Sequence, residues 1–475
     1  MKGEKIMSKN KELEKKLKYE NKSTFSKLDV KIHESVFSFC DEYRNFINVS
    51  KTEREFCDQS CRLLEKEGFV PLQNKSSLQP GDKVYTVNRG KAVIAAVIGS
   101  EPIENGVNIV GAHIDSPRLD LKPIPLAEEG GFAYFRTQYY GGIKRYQWFA
   151  VPLAIHGVAA LQDGTQINLT VGEDENDPVF CVSDILPHFA ARQMSKKVTE
   201  AFPNENLSVI IGNIACDDEE IKEGIKFNIL KILYEKFDLC EEDLVSSEIE
   251  IVPAFPARDL GFDRSMVAGY GQDDRVCAYT ALRAVLDLTV PKKTAVCLLV
   301  DKEEVGSMGA TGMRSRRFEN VLAKICSLKE KNYSDLMLRE TLSNSSCLSA
   351  DVGAAYDPNF PEAFTKNNAA KINCGLLLTK YTGSKGKSGA SDASAEFVAK
   401  VRKIFNDNEV AWQIAELGNT DLGGGGTIAQ YVANLDVDVI DCGVPLLSMH
   451  SPYEIAGKLD IYMAYKGYKA FYLDN

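Results

Sequence analysis

Two adjacent acidic residues, Glu303 and Glu304, follow the apolar run at 295–300 and could act together on one substrate. Such a pair inside a strand would be weak evidence for a shared site, because the side chains of neighbouring strand residues point to opposite faces. At the carboxyl end of a strand the backbone turns, so both carboxylates can face one crevice. Three further side chains of suitable chemistry follow apolar runs in the same way: His113, Asp115 and Asp351.

Two more candidates complete an inventory typical of a metal site. Asp273 stands at the head of an apolar-periodic segment, and His450 follows a late predicted strand. Imidazole and carboxylate ligands without thiolate favour zinc, with manganese or cobalt as substitutes, whereas calcium prefers an all-oxygen shell. Two histidines and at least three carboxylates exceed the needs of one catalytic zinc. Two metals about 3.5–4 Å apart, bridged by one carboxylate, would use them all.

Strands that alternate with helices must position these residues. Short apolar runs at 92–98, 107–110 and 295–300 predict strands, and the segment from 272 onward predicts a helix. Such alternation indicates an α/β fold with a mostly parallel sheet and helices on both faces. Ligands of such sheets bind in the crevice beyond the carboxyl ends of the strands.

The helical period weakens between 124 and 254, where glycine-rich turns separate candidate strands such as 166–171 and 249–252. We therefore predict a smaller β-rich domain at 124–254. It would interrupt a discontinuous catalytic domain formed by residues 1–123 and 255–475. His156 lies within an apolar run here and is interpreted as a packed residue.

Composition narrows the class of protein. The 475 residues are 44% apolar and 26% charged, and the formal net charge is −11. An acidic chain without a basic stripe argues against nucleic-acid binding. No apolar run approaches the roughly 20 residues of a membrane span, and the amino terminus does not resemble a signal sequence, so we expect a cytoplasmic location. The 12 scattered cysteines indicate reduced thiols.

The order and spacing of several motifs resemble the aspartyl aminopeptidase family of metallopeptidases, M18, from about residue 30 to the carboxyl terminus. The motifs are Ala112-His113-Ile114-Asp115-Ser116-Pro117-Arg118-Leu119, Asp273-Asp274-Arg275, Glu303-Glu304-Val305-Gly306-Ser307, Ser349-Ala350-Asp351 and Met449-His450-Ser451. Glu-Glu-Val-Gly alone would fit other co-catalytic zinc peptidases, and the histidine motif narrows the resemblance.

The resemblance implies a role for each central residue. Asp273 would bridge two zinc ions, one of them held also by His113 and Asp351. The second zinc would be held by Glu304 and His450. Glu303 would then be the general base, and Asp115 would orient the imidazole of His113.

Four further residues are candidates through the resemblance. His188 would be a metal ligand or a substrate contact, often across a subunit boundary. Lys371 would lie near the acidic side chain of the substrate. Gly425 and Gly426 could bring backbone N–H groups close to the substrate, although a plain flexible turn is the alternative reading.

The resemblance implies a metal-dependent aminopeptidase that removes the N-terminal residue of peptides and favours Asp or Glu. Family members form large closed homo-oligomers, commonly dodecamers, and we expect such an assembly here. The β-rich segment 124–254 would correspond to the dimerisation domain of the family. One alternative is a related di-zinc aminopeptidase of broad or neutral specificity. A second, of another class, is a catalytically inactive oligomeric scaffold that binds peptides.

Overall fold

A computed structural model of the chain describes residues 9–19, 25, 30–383, 386–422 and 424–474. Twelve α-helices occur in these residues: α1 Lys9–Leu17, α2 Val30–Asn48, α3 Glu53–Lys66, α4 Ala191–Met194, α5 Val198–Ala201, α6 Gly224–Phe237, α7 Gln272–Leu286, α8 Arg317–Lys329, α9 Asp335–Ser343, α10 Ala395–Asp407, α11 Ala429–Ala433 and α12 Lys458–Tyr472. None of these described helices has the length and apolar character that a membrane crossing requires.

The strands of the described residues form three sheets. They are β1 Val70–Pro71, β2 Lys83–Asn88, β3 Ala92–Val97, β4 Val107–His113, β5 Arg118–Glu129, β6 Phe132–Tyr140, β7 Leu153–Ala160, β8 Gln166–Val171, β9 Ser208–Gly212, β10 Ser247–Pro253, β11 Arg258–Leu260, β12 Met266–Gly269, β13 Thr294–Val300, β14 Ser346–Ser349, β15 Gly353–Ala354, β16 Leu376–Thr379, β17 Trp412–Ile414, β18 Asp438–Gly443, β19 Pro445–Leu447 and β20 Glu454–Gly457.

The largest sheet has nine strands in the order β1-β2-β3-β13-β4-β14-β18-β16-β17. Its centre, β13-β4-β14-β18, is parallel, and antiparallel pairs flank it. The predicted mostly parallel α/β sheet is thereby confirmed. The arrangement sets the carboxyl ends of β13, β4 and β14 side by side, and Glu303, His113 and Asp351 lie at or just beyond those ends.

Helices cover both faces of this sheet. Successive residues of β3 therefore pack alternately into one of two hydrophobic cores, one on each face. Val93, Ala95 and Val97 pack into a core shared with α2, α3, α7, α10 and α12. Ile94 and Ala96 pack into a second core shared with α8 and α11. A strand buried on both faces needs apolar residues at every position, which is the pattern of its sequence.

The helix α7 begins at the predicted position, Gln272, and nearly every one of its residues is buried. The helix packs between the sheet and α12, so its outer side also lacks contact with solvent.

The six-stranded sheet, β8-β7-β10-β5-β6-β9, is entirely antiparallel and packs against α6. Its strands lie between Arg118 and Pro253, so β5 begins before the predicted boundary at 124. The division into domains at 1–123, 124–254 and 255–475 stays a prediction, and part of its first segment lies outside the described residues. A third sheet has the strand order β11-β12-β20-β19-β15. Its strand β12 directly precedes α7 in the chain, and its strand β20 directly precedes α12.

Candidate metal centre

The turn before α7 fixes the position of Asp273. Gly271 has a left-handed φ of 69°, and a Cβ there would lie 1.3 Å from a guanidinium nitrogen of Arg275. That buried guanidinium donates from Nε to the Gly271 carbonyl and from a terminal nitrogen to the Ser50 carbonyl. Asp273 and Asp274 have non-helical backbone angles, which turn both carboxylates away from the helix axis.

Asp273 lies between the two histidines. Its Oδ1 is 3.3 Å from Nε2 of His113, and its Oδ2 is 3.1 Å from Nε2 of His450. Nε2 of His450 is also 3.5 Å from Oε1 of Glu304. One carboxylate therefore offers a separate oxygen to each of two ligand groups, the arrangement expected of a bridge.

Both histidines present Nε2 to this centre because Nδ1 is engaged elsewhere. Nδ1 of His113 donates to the backbone carbonyl of Asp115 at 3.0 Å, and Nδ1 of His450 donates to the carbonyl of Gly142 at 2.7 Å. A carbonyl oxygen only accepts hydrogen bonds, so each Nδ1 carries a proton. In the neutral imidazole Nε2 is then free to bind a metal.

The two glutamates lie on a 3₁₀ turn, Glu303–Val305, that follows β13. The turn is flanked by left-handed residues, Lys302 and Gly306. Oε2 of Glu303 is 3.9 Å from Nε2 of His113, and the Glu303 side chain is 17% exposed, whereas that of Glu304 is 4% exposed. The two neighbouring carboxylates thus face one crevice with different access to solvent.

Asp115 connects the histidine strand to the glutamate turn. Its Oδ1 accepts from the backbone N–H of Glu303 at 3.1 Å and its Oδ2 from that of Glu304 at 3.2 Å. Oδ1 also lies 3.3 Å from Nδ1 of His113. This fully buried carboxylate therefore fixes one imidazole and both glutamates at once.

Among the residues that the structure describes, two groups of three side chains could each hold a metal ion. Within each group the ligand atoms lie within 4.8 Å of one another. One contains His113, Asp274 and Asp351, and the other contains His113, Asp273 and Glu304. The structure thus brings together the five predicted ligands and Glu303. It adds Asp274, which belongs to the motif Asp273-Asp274-Arg275 but has no role implied by the resemblance.

Burial and mutual repulsion set the charges of this cluster. Burial, together with the charge of Asp274, raises the pKa of Asp351 well above its usual range. Burial raises the pKa of Glu303 to about 7, with His113 opposing and Asp115 adding to the shift. Burial would also raise the pKa of Asp273, but hydrogen bonds from His113 and His450 hold it below its usual range. The centre therefore carries more carboxylates than its two histidines can neutralise.

These residues fit zinc as their metal. Atoms that bind one tetrahedral zinc at about 2.0–2.1 Å are separated by roughly 3.3 Å, and the three contacts of Asp273, His113, His450 and Glu304 span 3.1–3.5 Å. Oδ1 of Asp274 and Oε1 of Glu304 are buried and have no hydrogen-bond partner among the described residues. Burying a carboxylate oxygen without a hydrogen-bond partner destabilises the folded state unless a cation binds to it.

Two contributors to the centre are not predicted from the sequence. Glu454, buried on β20, accepts from the backbone N–H of His450 at 2.8 Å through one oxygen and from that of Asp273 at 3.1 Å through the other. The segment Tyr140-Gly141-Gly142 reaches the centre from the six-stranded sheet. The spacing of Glu454 four residues after His450 is a weak signal, and the pair Gly141-Gly142 predicts no more than one of the glycine-rich turns of this region.

The remaining predicted residues lie elsewhere in the single chain. His188 is exposed on a short 3₁₀ turn, Pro187–Phe189, and is in neither group of ligand atoms. Lys371 is exposed, and its backbone pairs with the side chain of Gln413. The carbonyl of Gly425 accepts from Gly383, and the neighbouring Gly426 is exposed. Gly423 of the same loop lies outside the described residues.

Comparisons with known proteins identify the family. A profile described as aminopeptidase I zinc metalloprotease, M18, matches residues 46–472. A probable M18 family aminopeptidase 1 of Clostridium acetobutylicum is 53% identical over 95% of this chain and 98% of its own. The corresponding protein of Thermotoga maritima is 47% identical over 92% and 96%.

Solved structures agree with these matches. The M18 aminopeptidase of Thermotoga maritima has a TM-score of 0.92 at 45% identity and covers 96% of this chain and 99% of its own. Aminopeptidase I of Clostridium acetobutylicum has a TM-score of 0.89 at 50% identity, covering 97% and 100%. The dodecamer of Saccharomyces cerevisiae mApe1 shares the fold, with a TM-score of 0.74 at 22% identity over 91% and 96%. The chain therefore belongs to the aminopeptidase I family of zinc metalloproteases, M18, and is a peptide hydrolase of the aminopeptidase class.

Proposed function

We propose that the chain removes N-terminal residues from peptides at a co-catalytic centre of two zinc ions. The observation that carries this proposal is the position of Asp273, with one carboxylate oxygen toward His113 and the other toward His450. His113 and Asp351 would complete one zinc site, and Glu304 and His450 the other. Manganese or cobalt could replace zinc at such ligands.

When bound, the zinc ions would polarise the scissile carbonyl and make water acidic enough to attack at neutral pH. Glu303 would be the general base, taking a proton from the attacking water and passing it to the leaving amine. Its greater exposure than Glu304 supports this division, since the base must reach solvent and substrate. Asp115 holds the backbone of Glu303 and would keep its carboxylate in register with His113.

A preference for N-terminal Asp or Glu is part of the proposal. It rests on the family resemblance and on Lys371, whose exposed ammonium could meet an acidic side chain. Gly425 and Gly426 would offer backbone groups to the substrate. Broad or neutral specificity is the alternative, and it leaves the metal centre unchanged.

We extend the proposal to a homo-oligomer, for which the dodecameric yeast relative provides the precedent. In a closed assembly the exposed His188 would reach the centre of a neighbouring subunit, as a zinc ligand or a substrate contact. Such a closed shell would restrict access to short peptides.

The test is hydrolysis of aspartyl, glutamyl and leucyl chromogenic substrates by the purified protein, before and after chelation. Zinc, manganese or cobalt is then restored, and metal content is measured in parallel. Metal-dependent cleavage led by Asp or Glu is expected. A different preferred residue would reject the specificity alone, and protein that neither binds metal nor cleaves any substrate would favour an inactive peptide-binding scaffold.

A further inference from the structure

We infer that the segment Tyr140-Gly141-Gly142, at the end of β6, is a positioning element of the metal centre that holds two of its members and packs beside a third. The inference rests on the proposed metal centre, and it gives the six-stranded sheet a part in positioning the ligands. Tyr140 is hydrogen-bonded to Asp115 and Gly142 to His450, and a Cβ on Gly141 would lie 3.2 Å from Oε2 of Glu304.

Tyr140 acts on Asp115. Its hydroxyl donates to Oδ2 of Asp115 at 2.8 Å, the same oxygen that accepts from the backbone N–H of Glu304. A buried carboxylate with several donors has a fixed orientation, because every alternative rotamer would leave donors unpaired. The phenol therefore holds the residue that sets both the imidazole of His113 and the glutamate turn.

The ring of Tyr140 is itself held firmly. The guanidinium of Arg118 lies over it, 4.0 Å from the ring centroid. Arg118 is buried and pairs with Asp120 at 2.8 Å and with Glu53 and Glu250 at 3.2 Å each. A cation fixed by three carboxylates gives the phenol a rigid support, so its hydroxyl has little freedom to leave Asp115.

Gly142 and Gly141 lie beside the other two members, His450 and Glu304. The carbonyl of Gly142 accepts from Nδ1 of His450 and thereby selects the tautomer whose Nε2 faces Asp273. Gly141 has a φ of 73°, and a Cβ there would lie 3.2–3.3 Å from Glu304 and from Pro117. A larger residue would thus be strained and would also press on a predicted ligand.

Partners that orient metal ligands typically change metal affinity or activity by about 10–100-fold when they are removed. Tyr140→Phe removes the hydroxyl and keeps the ring that stacks on Arg118. We expect zinc affinity, measured by competition with a chromogenic chelator, to fall about 10-fold or more. We also expect the visible spectrum of the cobalt-substituted protein to shift, and kcat to fall more than KM rises.

Tyr139→Phe is the matched control, because it removes a phenol from the adjacent, half-exposed position of the same strand. It should leave affinity and spectrum at wild-type values. A second pair of variants serves if Tyr140→Phe does not fold. Gly141→Ala should disturb the centre, whereas Gly131→Ala, at a φ of 84° with open space around its Cβ, imposes similar backbone strain away from it.

The outcomes separate this inference from the proposed function. Wild-type protein that binds no zinc and cleaves no peptide would reject the metal centre itself. Active, metal-loaded wild type together with wild-type affinity and cobalt spectrum in Tyr140→Phe and Gly141→Ala would reject the positioning role alone. Equal losses in Gly131→Ala and Gly141→Ala would also reject it, since strain would then explain both.

Discussion

The imidazole of His156 donates from Nδ1 to Oε1 of Glu55 across 2.7 Å, and so joins β7 of the six-stranded sheet to α3 beside the nine-stranded sheet. Its other nitrogen, Nε2, lies 2.9 Å from Oε1 of Glu173. Carboxylates only accept, so both ring nitrogens must carry protons and the buried imidazole is a cation. Lys51, 2.6 Å from the same oxygen of Glu173, completes this inter-sheet cluster.

The inter-sheet cluster predicts a pH dependence of stability. Burial would lower the pKa of His156, but hydrogen bonds to Glu173 and Glu55 raise it above 6.5. Because the folded pKa is the higher one, the contribution to stability is full below about 6.5 and is lost as pH rises through the folded value. His156→Gln should therefore destabilise the protein strongly at pH 6 and less at pH 9.

Thermal unfolding of His156→Gln and wild type at both pH values measures this difference. Hydrogen bonds to charged groups contribute roughly 1.5–3 kcal/mol each, so the effect at pH 6 is measurable. Equal destabilisation by His156→Gln at pH 6 and pH 9 would contradict a charged imidazole.

The two adjacent glutamates should respond differently to substitution. Glu303→Gln should lower kcat by about 10²–10⁴-fold while zinc content stays at the wild-type level, because the base is lost and the ligands are intact. Glu304→Ala should lower zinc content itself. Metal analysis and kinetics on the same preparations check both expectations, and near-normal turnover by Glu303→Gln would remove it from the role of base.

Arg118 should contribute strongly to stability. Arg118→Met keeps much of the volume but leaves the buried carboxyl group of Glu250 without a cation and Glu53 with Lys91 alone. Breaking a buried pair in this way costs about 3–5 kcal/mol. Urea unfolding checks the magnitude. Arg136→Met, on β6 with a mostly exposed partner in Glu129, should cost about 1 kcal/mol or less. Similar costs for both variants would contradict a central role of the buried cluster.

The metal-centre residues at strand ends could be predicted from the sequence, because each follows a short apolar run that marks its strand. His113, Glu303 and Asp351 follow apolar runs, and parallel strands bring such ends to one edge. Glu454 and Gly142 were not predictable in this way, because their contacts depend on how separate sheets pack against one another. No periodicity within residues 140–142 encodes an approach to His450.

His156 shows the same difference between burial, which the local sequence predicts, and partners, which it does not. The apolar run around it predicted burial, and it is buried. The sequence pattern gave no indication of its two carboxylate partners, which come from α3 and from the residues after β8. Periodicity reports which face of an element is covered, whereas the partner of a buried polar group is set by tertiary packing.

His188 provides the last prediction, which concerns assembly. It is exposed on the chain, and its proposed role requires a neighbouring subunit. His188→Ala and Glu303→Gln should each be nearly inactive alone. In the first variant every metal centre lacks the histidine that a neighbouring subunit would supply, and in the second every centre lacks its general base.

Co-expression of the two variants should restore part of the wild-type activity. In a mixed oligomer some centres combine the intact Glu303 of one chain with the intact His188 of its neighbour, so activity returns without any single intact chain. Mixing the separately purified variants without subunit exchange is the control and should restore none. If co-expressed hybrids, verified by two affinity tags, remained inactive, then His188 would act within its own subunit or have no part in the reaction. The recovery of activity thus tests the residue and the assembly in one experiment, because neither alone can produce it.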